Sequence, residues 1–186
     1  AWGDREGKIH LLDWKTGKET HQFKAHSSTI LGLTFTADSK RLATSAEDST
    51  IRIWDLSGKE LGKIEEVGSA THLRFSGDGS VLAWRQTDGK LLFAPGAGGK
   101  AQMPSMPDEA GALTSSSISP DGRSIAGGNQ TGNVYIWGSD RNAPPQLLNG
   151  QRGYVMAGAF FGDGPLFAAG GWGSIPPYEV ATWRPI

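Results

Sequence analysis

Apolar and polar residues alternate in short runs along most of the chain, and the runs are broken at regular intervals. Ile30-Leu31-Gly32-Leu33-Thr34-Phe35 reads as a strand, Thr36-Ala37-Asp38-Ser39-Lys40 interrupts it, and Arg41-Leu42-Ala43-Thr44 starts another. The same interruption returns as Ser76-Gly77-Asp78-Gly79-Ser80, Ser119-Pro120-Asp121-Gly122-Arg123 and Phe161-Gly162-Asp163-Gly164-Pro165. Their aspartates are 40, 43 and 42 positions apart. Asp followed by Gly suits a tight connection between antiparallel strands, because Gly reaches positive φ at little cost. Short strands joined by such turns predict an all-β fold.

A second landmark keeps step with the first. Ile51-Arg52-Ile53-Trp54-Asp55 recurs as Ile9-His10-Leu11-Leu12-Asp13 and as Val134-Tyr135-Ile136-Trp137-Gly138. Degenerate copies are Leu91-Leu92-Phe93-Ala94-Pro95 and Val180-Ala181-Thr182-Trp183-Arg184. Measured at the Trp54 position the spacings are 42, 40, 43 and 46 residues. A repeat of roughly 40 to 45 residues with four strands per unit is the signature of propeller blades.

Composition adds bounds. The 186 residues include 27 glycines, about twice the average usage of roughly 7%, and they recur beside Asp, Thr and Ser at spaced intervals, as turns do. A net charge of -1 supplies no basic field for nucleic acid. No run of apolar residues approaches the length of a membrane-spanning helix, so no membrane insertion is expected. The absence of Cys excludes disulfides and thiolate metal sites, and leaves the compartment open. The chain begins Ala1-Trp2-Gly3-Asp4, without an initiator Met or a signal peptide.

Ser119-Pro120-Asp121-Gly122-Arg123 and Ile53-Trp54-Asp55 resemble the turn and the ending of WD40 repeats, and the resemblance covers essentially the whole chain. It implies blades of four antiparallel strands, named a to d from inside outward. In the most complete copy these lie near 29–36, 40–46, 50–55 and 59–65. The expected division is a partial blade over 1–24, blades over 25–66, 67–107 and 108–150, and a partial blade over 151–186. That is about 4.4 repeats, whereas WD40 rings usually close with seven or eight. The chain therefore reads as an incomplete portion of a seven- or eight-bladed ring. The remaining blades would come from the same parent chain or a second copy, and a compact four-bladed ring is a further alternative.

His26, Thr44, Asp48 and Trp54 match, residue by residue, the structural tetrad of such blades. The Trp54 indole N–H donates only, so it needs an acceptor such as the Thr44 hydroxyl; that hydroxyl donates to His26, and His26 donates to Asp48. Glu6, Asp88, Thr131 and Pro177 take the Asp48 place in the other copies, none of which has the matching His. Thr44, His26 and Asp48 also invite a hydrolytic-triad reading. A nucleophile should face a cleft, and a Thr held by a Trp donor inside a strand should not, so no catalytic residue is assigned.

Other motifs reduce to structure. Asp13-Trp14-Lys15-Thr16-Gly17-Lys18 resembles part of the docking repeat of quinoprotein propellers, with His21 where an aromatic residue should stand. A quinone-dependent dehydrogenase fragment is thus the enzyme alternative, set against a polar turn between strands c and d. Pro95 to Ala101 lacks the spacing of a phosphate loop and has no following helix. The four histidines show no metal-ligand spacing, and no cofactor or metal is expected. Asn129-Gln130-Thr131 is a formal glycosylation sequon at a turn, read as coincidence. Trp2, Trp14, Trp84 and Trp172 fall off the repeat positions, and one or two of them are expected at the surface.

The resemblance implies an interaction scaffold, not an enzyme, binding protein partners on the face that carries the d–a and b–c connections. Its positions carry over to Thr29, Leu31 and Glu47; Ser69, Thr71 and Thr87; Ala112, Thr114 and Gln130; Tyr154 and Met156; and Arg5. Trp172 joins them on the lengthened b–c connection of the last copy, Gly170 to Pro177. Tyr154, Met156 and Leu31 are the expected anchors, because large apolar side chains dominate interface energetics.

Overall fold

A computed structural model describes residues 1–148, 153–161, 166–171 and 177–179. They form five antiparallel sheets in chain order. The first holds β1 (Trp2–Gly3), β2 (Lys8–Leu12) and β3 (Glu19–Lys24). The second, of four strands, holds β4 (Ile30–Phe35), β5 (Arg41–Ala46), β6 (Ile51–Asp55) and β7 (Glu60–Ile64). The third holds β8 (Ala70–Phe75), β9 (Val81–Gln86) and β10 (Leu91–Pro95). The fourth holds β11 (Leu113–Ile118), β12 (Ile125–Asn129), β13 (Val134–Trp137) and β14 (Gln146–Leu148), and the fifth holds β15 (Val155–Phe161), β16 (Leu166–Gly171) and β17 (Pro177–Glu179). One short 3-10 turn, Asp108–Ala110, precedes β11.

Each strand pairs with its sequence neighbour, and the first strands of successive sheets lie against one another: β4 on β8, β8 on β11, and β11 on β15. The sheets therefore stand face to face around these inner strands. Period-2 alternation then buries both sides of the middle strands. Leu42 packs with Ile9 and Trp54 against the first sheet, while its neighbour Ala43 packs with Leu73 and Trp84 against the third. Ala83 meets Leu113 and Trp137 at the next seam, and Ala126 meets Val155 and Phe167 at the one after. Four seams, one between each pair of consecutive sheets, take the place of a single central core. The all-β architecture expected from the repeat is what the chain adopts.

The turn chemistry repeats as closely as the spacing. Thr36, Ser76 and Ser119 each donate a hydroxyl to the aspartate two residues on, at 2.6, 2.6 and 2.7 Å. The same carboxylate oxygen accepts the N–H of Lys40, Ser80 or Arg123. These bonds hold the carboxyls of Asp38, Asp78 and Asp121 below the usual range. The next residue has positive φ in all three: Gly79 and Gly122 at 68°, but Ser39 at 57°.

Two details differ from the sequence reading. The third sheet has no fourth strand; the isolated bridge Phe93–Gln102 stands where it would be. Pro104 and Pro107 follow closely, and proline has no N–H for a ladder. In the fifth sheet, β17 places Tyr178 opposite Phe167, as Trp54 stands opposite Leu42. The third strand thus lies five residues earlier than the Val180–Arg184 alignment expects, and Pro177 is in it instead of at the turn. As the first residue of an edge strand, Pro177 sits where a proline is tolerated. Trp183 lies outside the described residues.

Candidate functional site

The tetrad is built by two loops and two strands. His26 enters from the loop after β3, Thr44 stands mid-β5, Asp48 caps the β5–β6 turn and Trp54 is the last residue but one of β6. The Trp54 Nε1–H donates to Thr44 Oγ1 at 2.8 Å, and His26 Nε2 is 2.8 Å from the same oxygen. His26 Nδ1 lies 3.0 and 3.1 Å from the two Asp48 oxygens. Since Thr44 already accepts from Trp54, its own proton goes to Nε2, and Nδ1–H donates to Asp48. Asp48 also accepts from the Thr50 hydroxyl at 2.7 Å and from the N–H groups of Thr50 and Ser27.

The electrostatics match a structural role. Burial pushes the His26 imidazole below its ordinary range, and the Asp48 charge only partly offsets it. For Asp48, burial alone would raise the carboxyl, yet the Thr50 hydroxyl and the His26 ring hold it below the usual value. His26, Thr44 and Trp54 are all buried. Thr44 Oγ1 therefore has no open side from which a substrate could be attacked, which removes the geometric basis of the triad reading.

The third and fourth sheets lack the tetrad and close the same gap differently. At the place of Ala46, the last residue of β5, stand Gln86 in β9 and Asn129 in β12. The Gln86 amide donates to Val67 O at 2.6 Å, and that of Asn129 to Ala110 O at 2.8 Å. Buried Asn129 has no room for a glycan.

The b–c and d–a loops bring the expected partner residues to one end of the sheets. Arg5, Glu47, Ser69, Thr87, Ala112, Gln130, Tyr154 and Met156 are exposed, while Thr29, Leu31, Thr71 and Thr114 are half-buried. Tyr154 is 52% and Met156 64% exposed, so two large apolar groups face solvent. Three threonines also tie down main chain: Thr29 donates to Arg5 O, Thr71 to Arg85 O and Thr114 to Val155 O. Trp172 lies outside the described residues. At the opposite end, Trp14 is 87% exposed on a turn closed by the Asp13 carboxylate, which accepts from Lys15 N and Thr16 N. Trp2 is half exposed, whereas Trp84 is buried.

One departure on this face went unseen in the sequence. In β4, β11 and β15 a bulge makes Leu31, Thr114 and Met156 the extra residue. In β8 the irregularity sits lower: Thr71 pairs with Arg85, Arg74 pairs with Ala83, and His72 and Leu73 together oppose Trp84. His72 takes a φ of 54° there and is exposed. Arg85, which stands where the flanking sheets have Ser45 and Gly128, approaches it at 3.4 Å. A charged residue inside an otherwise buried strand was the signal available in the sequence. Among the described residues, no group of three or more His, Cys, Asp or Glu side chains converges to hold a metal ion.

Comparison with known proteins agrees with the geometry. The family model for the WD domain, G-beta repeat, matches residues 17–55. Apoptotic protease-activating factor 1 of Rattus norvegicus is 26% identical over 91% of the chain, which spans 14% of that protein. Target of rapamycin complex subunit wat1 of Schizosaccharomyces pombe is 26% identical over 74% of the chain, with 44% of that protein covered. The crystal structure of the computationally designed Ika8 protein shares the fold with a TM-score of 0.77, at 21% identity, over 98% of this chain and 56% of that one. With the in-phase turns, the face-to-face sheets and a family match on the one copy that carries all four tetrad residues, the chain contains a WD40 repeat at residues 17–55 and is similar to WD-repeat proteins over most of its length.

Proposed function

We propose that the chain is a protein-interaction scaffold whose partner docks on the face formed by the d–a and b–c loops. The supporting observation is the exposure of Tyr154 and Met156 on that face, where apolar groups of this size gain most from burial against a partner. Leu31 lies on the same face, and polar Thr29, Ser69, Thr87 and Gln130 supply the rim that such interfaces carry. WD-repeat relatives support an interaction role in general; what any relative assembles with is its own property.

The test is a displayed peptide library selected against the immobilised full chain and screened against a Leu31→Asp, Tyr154→Asp, Met156→Asp variant. The reading expects binders that prefer the unmodified chain by roughly tenfold or more, the scale of one lost hot spot. Equal binding to both proteins would remove it.

A further inference from the structure

At the inner end of the seam between the third and fourth sheets, three basic side chains gather with no counter-charge among the described residues. His72 and Arg74 stand on β8 two residues apart, both exposed, and Arg85 reaches across from β9. Arg85 donates Nη1 to Leu113 O at 2.8 Å, which fixes its guanidinium against the fourth sheet. Its Nη2 lies 3.4 Å from His72 Nδ1, which is also 3.1 Å from Thr71 Oγ1. Among the described residues neither Arg74 nor Arg85 has a carboxylate within ion-pair distance, Arg74 makes no side-chain hydrogen bond, and the buried Arg85 Nε has no partner. Asp88 and Glu65, acidic residues in loops around the third sheet, are engaged with Lys90 and Lys63.

This arrangement is costly. Like charges sit together, and burial with repulsion from Arg85 and Arg74 pushes the His72 imidazole below its ordinary range. The displaced bulge that turns His72 outward also puts a non-glycine residue in the left-handed region, which costs about 1 kcal/mol or more. Bulges re-aim side chains beside functional sites. A carboxylate entering here would meet the Arg74 guanidinium, the His72 ring and the edge of Arg85, and would supply the missing counter-charge.

We propose that Arg74, His72 and Arg85 form a carboxylate-binding subsite for an acidic peptide segment of a protein partner. The subsite rests on the interaction reading above and names the partner's chemistry. Full chain would be titrated with fluorescently labelled hexaglutamate and with hexaglutamine at low ionic strength, followed by anisotropy. Hexaglutamate is expected to bind, hexaglutamine not. Arg74→Gln should weaken hexaglutamate roughly three- to tenfold with an unchanged melting temperature, since Arg74 is exposed and holds no structural bond. Inorganic phosphate at millimolar concentration should compete only weakly. No preference for glutamate, or an Arg74→Gln variant that binds as well as the parent, would overturn the proposal. Displaced hexaglutamate at low phosphate would reassign the subsite to phosphate and overturn the peptide assignment. If library peptides bind through Tyr154 and Met156 yet carry no acidic residues, the subsite fails while the interaction reading stands.

Discussion

Gln86 and Asn129 hold the same position at the end of the second strand in consecutive sheets, and each donates its side-chain amide to the carbonyl of the loop entering that sheet, Val67 and Ala110. The second sheet has Ala46 at this position and closes the loop with His26 and Asp48 instead. Two different chemistries therefore perform one structural task. Asn129→Ala should leave the buried Ala110 carbonyl unpaired and cost about 1–3 kcal/mol in chemical denaturation. Gln86→Ala, at a half-buried site, should cost less. A loss below about 0.5 kcal/mol at Asn129 would show that the amide tether is dispensable.

The tetrad carries a pH signature with a defined sign. Because burial lowers the His26 pKa, the unfolded chain takes up a proton that the folded chain refuses. Its stabilisation is complete above the ordinary histidine value, about 6.5, and is lost as pH falls below it. Asp48 adds a second loss lower down, as pH falls through the carboxylate range, because its folded pKa is lowered. His72 shifts in the same direction as His26, while His10, hydrogen-bonded by Glu19, shifts the opposite way. The informative quantity is therefore the stability gap between the parent chain and His26→Gln. That gap should narrow as the buffer is taken from about pH 7.5 to about pH 5.5; a constant gap would contradict a neutral, buried His26.

Trp54 and Trp84 are both buried, but only Trp54 has a partner for its indole N–H. Replacing either with Phe removes similar volume. Trp54→Phe also breaks a buried hydrogen bond, whereas Trp84→Phe removes a donor already unpaired. The first substitution should be the more destabilising by about 1 kcal/mol, read from urea midpoints at matched slopes. Equal losses would mean that packing alone sets both.

Ser39 occupies the left-handed place that Gly79 and Gly122 fill in the equivalent turns. Ser39→Gly relieves that conformation at an exposed site and should raise stability by roughly 0.5–1 kcal/mol. A melting temperature that stays level or falls would show that the Ser39 side chain compensates within the turn.

The repeat was legible because two landmarks, the Asp turn and the third-strand ending, recur in phase, and phase decides which side of a sheet each residue buries. Leu42 and Ala43 go to opposite seams for that reason alone. The tetrad was legible because four residue types stand at fixed offsets. The bulge at His72 was not, since moving an extra residue one pair along β8 changes pairing and direction without changing a single letter. The amide tethers of Gln86 and Asn129 escaped for another reason. Their acceptors are main-chain carbonyls 19 residues earlier, and a carbonyl leaves no mark in a sequence. The third strand of the fifth sheet shifted because Trp183 looked like a landmark, whereas pairing with β16 begins at Pro177.

The matched family segment, 17–55, begins at β3 and ends at β6, so one sequence cassette is the outer strand of one sheet and the inner three of the next. The cassettes are laid like bricks in running bond, each overlapping the joint between its neighbours. Excising one cassette would strip an edge from the sheet before it and leave the following sheet's outer strand without the strands it pairs with. Loss of order at one joint is then shared by both neighbours, which makes the blade a unit of geometry while the unit of cooperativity spans two.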